Sequence, residues 1–185
     1  MAYTLPMIFT SQSGLTDASR AAAWDDWYIG HLEAMAAVPG IGSAQRFAAL
    51  ESGPPPSLAM YSVASAAVFD SEIYRRTRGM GPWQPLIDQR HYHRNLFDGL
   101  QTAPDVAAAA TLLVIDRETP VSAGPAVTWL RAVGLDRSTP YRGLAVLPDI
   151  DVARRQAAAI DGLVALYRPV TRRYGVSPVA GRVIP

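Results

Sequence analysis

Apolar positions recur along the chain with two alternating periods, and the switches between them divide it into elements. Met7-Ile8-Phe9-Thr10 is a short β-like run ending in polar Ser11 to Gly14, after which Thr16 or Asp17 supplies a helix N-cap. Trp24, Tyr28, His31, Met35 and Val38 then recur at steps of three and four, with Trp27 beside them. That spacing predicts a helix with a lone histidine on its apolar face, ended by Pro39-Gly40. Residues 42–50 alternate as a strand, with Gln45, Phe47 and Ala49 on one side and Ala44, Arg46, Ala48 and Leu50 on the other. After the proline-rich turn at 51–56, residues 58–63 form the return strand. A second helix is expected over 66–78, with Val68, Phe69 and Ile73 inward, then a break at Gly79 to Pro82 and a short turn at 83–87. A fourth strand is expected over 90–100. The order β-α-β-β-α-β is that of a ferredoxin-like split βαβ unit.

Beyond an Ala- and Pro-bearing linker the pattern begins again. Residues 111–115 and 141–147 read as strands, 123–133 as a helix with Val127, Leu130 and Val133 inward, and 151–168 as a long helix with Ala157, Ile160, Val164 and Tyr167 on one side. Residues 176–184 supply a last strand, and the third strand of this unit is weak or missing. The fold class expected is therefore α+β: two ferredoxin-like units, 1–103 carrying the site and 108–185 degenerate. Each sheet has helices on one face and an apolar open face, so packing the open faces together makes an intramolecular α+β barrel. The alternative is one α/β domain without internal symmetry.

Composition narrows the chemistry. The 185 residues include no cysteine and no lysine, which removes thiolate metal sites, thiol nucleophiles, Schiff bases and phosphate-loop lysines. All 17 basic residues are arginines against 16 acids, net +1, and the densest cluster is Arg75, Arg76 and Arg78. No basic stripe points to nucleic acid, no apolar run of 18 residues points to a membrane, and Met1 to Leu15 lacks the pattern of a secretory leader. The expectation is a soluble cytoplasmic protein, monomer or homodimer, acting on a small molecule.

Trp27, His31, Pro39, Gly40, Ala44, Arg46 and Phe47 together resemble the dimeric α+β barrel superfamily, and within it the EthD-like proteins. Pro55 with Leu58-Ala59-Met60-Tyr61 resembles the third strand of that family, and Ser71-Glu72-Ile73-Tyr74-Arg75 its second helix. The likeness covers about residues 5 to 100. It implies a small-molecule cavity between sheet and helices, in a superfamily of cofactor-free isomerases, lyases, polyketide cyclases and small monooxygenases. Where many relatives carry an acid before the histidine, this chain has Gly30, so His31 has no orienting carboxylate beside it in sequence.

Candidate catalytic residues are His31, His91, His93 and Tyr61. Histidine titrates near neutral pH, and a tyrosine can donate to a developing oxyanion. His91 and His93, two apart on the expected fourth strand, share a face with Asn95, while Tyr92 and Arg94 take the other. Trp24, Trp27, Tyr28, Arg46, Phe47 and Asn95 are the candidate substrate-binding residues. The reading is a cofactor-independent lyase or isomerase on a small organic substrate, a dehydratase among the options, using histidine acid/base catalysis. Two alternatives stand: a divalent metal or haem on His31, His91 and His93, and a binding protein without chemistry.

Overall fold

The computed structural model describes residues 6–124 and 126–175. Eight strands alternate with short helical elements: β1 (Met7–Ser13), α1 (Ala21–Ala36), β2 (Ile41–Ala49), β3 (Ser57–Val63), α2 (Glu72–Thr77), β4 (His93–Asp98), β5 (Thr111–Arg117), β6 (Thr128–Leu135), β7 (Tyr141–Leu147), α3 (Ile150–Ala158) and β8 (Ala165–Pro169). Every neighbouring pair is antiparallel, and the strands close into a barrel in the order β1-β3-β2-β8-β5-β7-β6-β4. Opened at the β2–β8 and β4–β6 seams, this gives two sheets, β4-β1-β3-β2 and β6-β7-β5-β8. In each, the first and second strands of the half are separated by the third, as in a ferredoxin-like unit. The fold is α+β with the two sheets packed face to face, and closure leaves no free sheet edge. No helix among the described residues is long and apolar enough to cross a membrane.

Strand alternation sorts side chains into three cores. Ile8, Phe47, Leu58, Met60, Phe97, Leu112, Leu130 and Tyr167 fill the barrel. Met7, Phe9, Ala59, Tyr61 and Val63 point outward from the first sheet onto Trp24, Tyr28, Leu32 and Met35 of α1. Leu113, Ile115, Ala145 and Leu166 point outward from the second sheet onto Ala153 and Ile160, at and beyond α3. The linker between the halves covers one mouth of the barrel: Gln45 Nε2 donates to the Val106 carbonyl (2.8 Å), Val106 N–H donates back to Gln45 Oε1 (3.2 Å), and Ala103 N–H donates to Ser62 Oγ (2.8 Å).

Several expected elements differ. The helix expected at 123–133 is the strand β6. Its apparent helical stripe dissolves, because Leu130 faces the barrel while Trp129 and Val133 face outward. Pro120 discourages a helix before it, so among the described residues the second half lacks a helix between its first two strands, while its third strand is present as β7. The long helix at 151–168 ends at Ala158; Gly162 (φ +79°) turns the chain into β8 and sends Tyr167 into the barrel. That strand completes the second sheet, and the one expected at 176–184 lies outside the described residues. The helix at 66–78 is interrupted at extended Ser71 (φ −69°, ψ 144°), whose Oγ caps α2 by accepting from Tyr74 N–H (3.2 Å). The restart changes the helical phase, so Tyr74 is buried and Ile73 is 53% exposed.

Candidate functional site

The first-half sheet and its helices enclose a cavity of about 370 Å³. Its floor comes from β1 and β3, whose odd-numbered residues face the helices: Phe9 and Ser11 from one, Tyr61 from the other. Phe9 stacks on Tyr61 at 5.1 Å, meets Phe69 edge-on at 5.2 Å, and Phe69 meets Tyr74 at 4.9 Å, so the aromatic wall is continuous. One side is α1. Trp24, Tyr28, Leu32 and Met35 repeat at helical spacing and bury against the sheet. His31 stands one position off that stripe, at the rim between core and cavity. The opposite side comes from α2 and the glycine-flanked turn after it, with Tyr74, Arg75, Arg78 and Met80, and from Tyr92 and Arg94 leading into and on β4.

His31 is held by ring contacts alone. Trp27 stacks on it at 4.9 Å with 10° between planes, and Tyr28 meets it edge-on at 5.5 Å. Neither imidazole nitrogen has a hydrogen bond among the described residues. Burial removes water from the ring and pushes its pKa down to about 4, so at neutral pH it is an uncharged base. The Tyr28 and Tyr61 side chains are fully buried near one another, and burial raises both pKa values, keeping the hydroxyls protonated. The cavity lining therefore brings together a proton acceptor and a mutually hydrogen-bonded pair of tyrosine hydroxyls.

The candidates from sequence divide between places. His31, Tyr28 and Tyr61 share this cavity, and Trp27 backs His31. Arg46 does not line it. Its guanidinium is buried, paired with Asp25 (2.7 Å), donating to Ser57 Oγ (2.9 Å), and sandwiched against Trp24 (4.7 Å) and Tyr28 (4.3 Å), so it fastens α1 to the sheet. Phe47 points into the barrel. Asn95 is buried on the barrel side, donating to Ser138 Oγ and accepting from Ser138 N–H, both at 2.8 Å. His91 and His93 are not on one strand: His91 ends a 3₁₀ turn (Gln89–His91) and β4 begins at His93. Both line a separate cavity at the open barrel mouth, with Gln12, Arg90, Asp116 and Arg117, and His93 Nε2 lies 3.2 Å from the Arg90 carbonyl. The three histidines do not converge.

It is the Tyr92 and Arg94 face of that segment that reaches the His31 cavity. Tyr74, Arg75, Arg78 and Arg94 carry no signal of their own at the sequence level beyond the local density of arginine at 75–78. Their meeting depends on the Ser71 break and on the start of β4.

The chain matches no family model and no curated protein. Solved structures do resemble it. One is a provisionally assigned chlorite dismutase, with TM-score 0.56 and 10% identity over 91% of this chain and 96% of that one. Another is a provisionally assigned monooxygenase from Fusobacterium nucleatum subsp. nucleatum, with TM-score 0.54 and 11% identity over 94% of this chain and 96% of that one. The fold is that of the dimeric α+β barrels, closed here within one chain. At such identity the likeness extends to the fold and no further.

The metal or haem alternative meets a chemical obstacle at His31. Ligating imidazoles donate their second N–H to a fixed acceptor, which sets tautomer and orientation. Among the described residues His31 has no such acceptor, and its ring is packed flat against Trp27. No group of three His, Asp or Glu side chains that could hold a metal occurs among the described residues. The residues present do not fit that role, and the chemistry of the cavity is derived from its own side chains.

Proposed function

We propose that the cavity is the active site of a cofactor-independent lyase or isomerase acting on a small organic carbonyl compound. The observation that carries this is a neutral, half-buried histidine with both nitrogens unclaimed among the described residues, opening on the same cavity as two protonated tyrosine hydroxyls. His31 takes a proton from the carbon next to the substrate carbonyl. The C–H electron pair moves into that carbonyl, and the enolate oxygen is held by the Tyr61 O–H with Tyr28 beside it. Imidazolium then returns the proton. In a β,γ-unsaturated substrate, delivery to the γ carbon of the dienolate shifts the double bond and isomerises it; in a β-hydroxy substrate, delivery to the departing hydroxyl, as the enolate electrons re-form the carbonyl and make the α–β double bond, expels water. A base with a pKa of about 4 is weak, so it suits only an acidified C–H. His91 and His93, in the other cavity, take no part.

The test is deuterium exchange by NMR, with the full chain in D2O and a panel of small carbonyl acids, ketones and esters. Exchange at the acidified carbon is expected to fall about 10²- to 10⁴-fold in His31→Ala and about 10²- to 10³-fold in Tyr61→Phe, with unchanged circular dichroism. Survival of exchange in His31→Ala overturns the reading. A cavity that binds panel members but exchanges none of their protons makes the protein a binding module instead.

A further inference from the structure

Among the described residues, three arginines line the His31 cavity and no aspartate or glutamate does: Arg75 and Arg78 from α2 and its end, Arg94 from β4. The chain as a whole is almost neutral, at +1, so this single-sign lining is a local arrangement. The three are engaged to different degrees. Among the described residues, Arg75 makes a long, exposed contact with Asp70 (3.9 Å). Arg78 has no ion pair among the described residues. Arg94 is positioned by Asp136, which accepts from the Arg94 backbone N–H (2.7 Å) and from Nη2 (3.2 Å), while its Nε is buried with no hydrogen-bond partner among the described residues. A buried donor left without a partner costs free energy, and this one belongs to a residue of the cavity wall. Burial raises the pKa of Tyr74 on that wall, and the nearby Arg94 and Arg78 charges oppose part of that rise while Asp136 adds to it. Across from them lie Phe9, Met35 and Tyr61.

We infer that the substrate is a small organic acid with an apolar body, its carboxylate held by Arg94 and Arg78 and its body laid along Phe9 and Tyr61. Guanidinium groups match a carboxylate's two oxygens, and the aromatic wall suits a planar hydrocarbon part. This rests on the acid/base reading for the direction of the substrate, because it puts the carboxylate at the arginine wall and a separate carbonyl toward Tyr61 and His31. An oxo acid satisfies both. It also has a consequence for His31: a bound anion favours the charged imidazole, so the bare ring's low pKa rises when the site is filled.

The experiment is binding to the intact chain, followed by calorimetry and by the tryptophan fluorescence that includes Trp27. The probes are phenylpyruvate and benzoate, their neutral counterparts benzamide and acetophenone, and inorganic phosphate. Both carboxylates are expected to bind at least tenfold more tightly than either neutral compound and than phosphate. Arg78→Gln and Arg94→Gln are each expected to weaken the carboxylates at least tenfold and leave the neutral compounds unchanged. Arg78 has no ion pair among the described residues, so its variant serves if Arg94→Gln folds poorly. His31→Ala is expected to keep carboxylate binding even where exchange is lost, which separates this inference from the catalytic one. Equal affinity for benzoate and benzamide, indifference to both arginine variants, tighter binding of phosphate, or no binding of either carboxylate overturns it.

Discussion

Burial holds the His31 imidazole near a pKa of about 4, while the same side chain titrates near 6.5 when the chain is unfolded. The unfolded state therefore takes up a proton first as the pH falls. Stability is fully present above pH 6.5 and is lost as the pH drops from 6.5 toward 4, with a ceiling of about 3 kcal/mol for that interval and a smaller loss to the extent that water reaches the ring. Denaturant unfolding at pH 7, 5.5 and 4.5, compared with His31→Gln, isolates the effect: the variant is expected to lose less stability on acidification. Equal slopes would show that the ring is protonated in the native state as readily as in the unfolded one. The sequence shows His31 among aromatic residues, which suffices to place it on an apolar face. Its lack of a hydrogen-bonding partner depends on what β3 and the second helical segment bring near it, and no spacing in the chain reveals that.

At the level of elements, α1 and its passage into β2 are legible because local chemistry and tertiary demand agree there. Gly40 sits at φ +90°, and a Cβ on it would lie 2.5 Å from Val68 Cγ2. Gly30, ten residues earlier, is exposed within α1, and nothing lies within 4 Å of where its Cβ would be. The two glycines respond oppositely to alanine. Gly40→Ala is expected to cost about 2 kcal/mol or more through left-handed strain and the clash with Val68. Gly30→Ala is expected to stabilise by about 0.5–1 kcal/mol through helix propensity. Shifts in thermal midpoint of opposite sign check this, and two shifts of the same sign would contradict it. The second half is harder to read for a physical reason. Val127, Leu130 and Val133 fit a helical stripe, yet at the start of β6 and within it they serve different layers, a distinction that exists only once β4 and β7 are paired on either side. The break at Ser71 is similarly invisible: a capping serine inside an apolar run looks like a tolerated helical residue until Tyr74 is seen to need its new phase.

For the whole molecule, two apolar sheet faces are foreseeable from alternation, whereas the polar link between them is not. Arg142, on β7, is fully buried. It pairs with Asp116 of β5 through Nε and Nη2, both at 2.7 Å, and crosses the barrel to Thr10 (3.0 Å) and Gln12 (2.7 Å) of β1, 130 and more residues away in sequence. Phe97 lies under the guanidinium at 5.1 Å. In sequence it is one more arginine in an apolar strand. Its energetics are asymmetric. Asp116 is partly open at the barrel mouth, with 39% of its side chain exposed, so water can solvate it if Arg142 is removed. Arg142 has no such recourse. Asp116→Ala leaves a guanidinium in the barrel with only two neutral acceptors, and the expected cost is about 3–5 kcal/mol. Arg142→Met exchanges the charge for an apolar chain of similar reach and is expected to cost less, although it frees Thr10 and Gln12. In the double variant the large penalty of Asp116→Ala should mostly vanish, since no buried charge remains to be uncompensated. Because the barrel interior is filled from both sheets, all these proteins should unfold in one transition by fluorescence and circular dichroism alike. An Asp116→Ala protein as stable as the parent would mean that water enters the barrel as far as Arg142. Two separated transitions would mean that the halves hold together by their own outer cores and only lean on each other across the barrel.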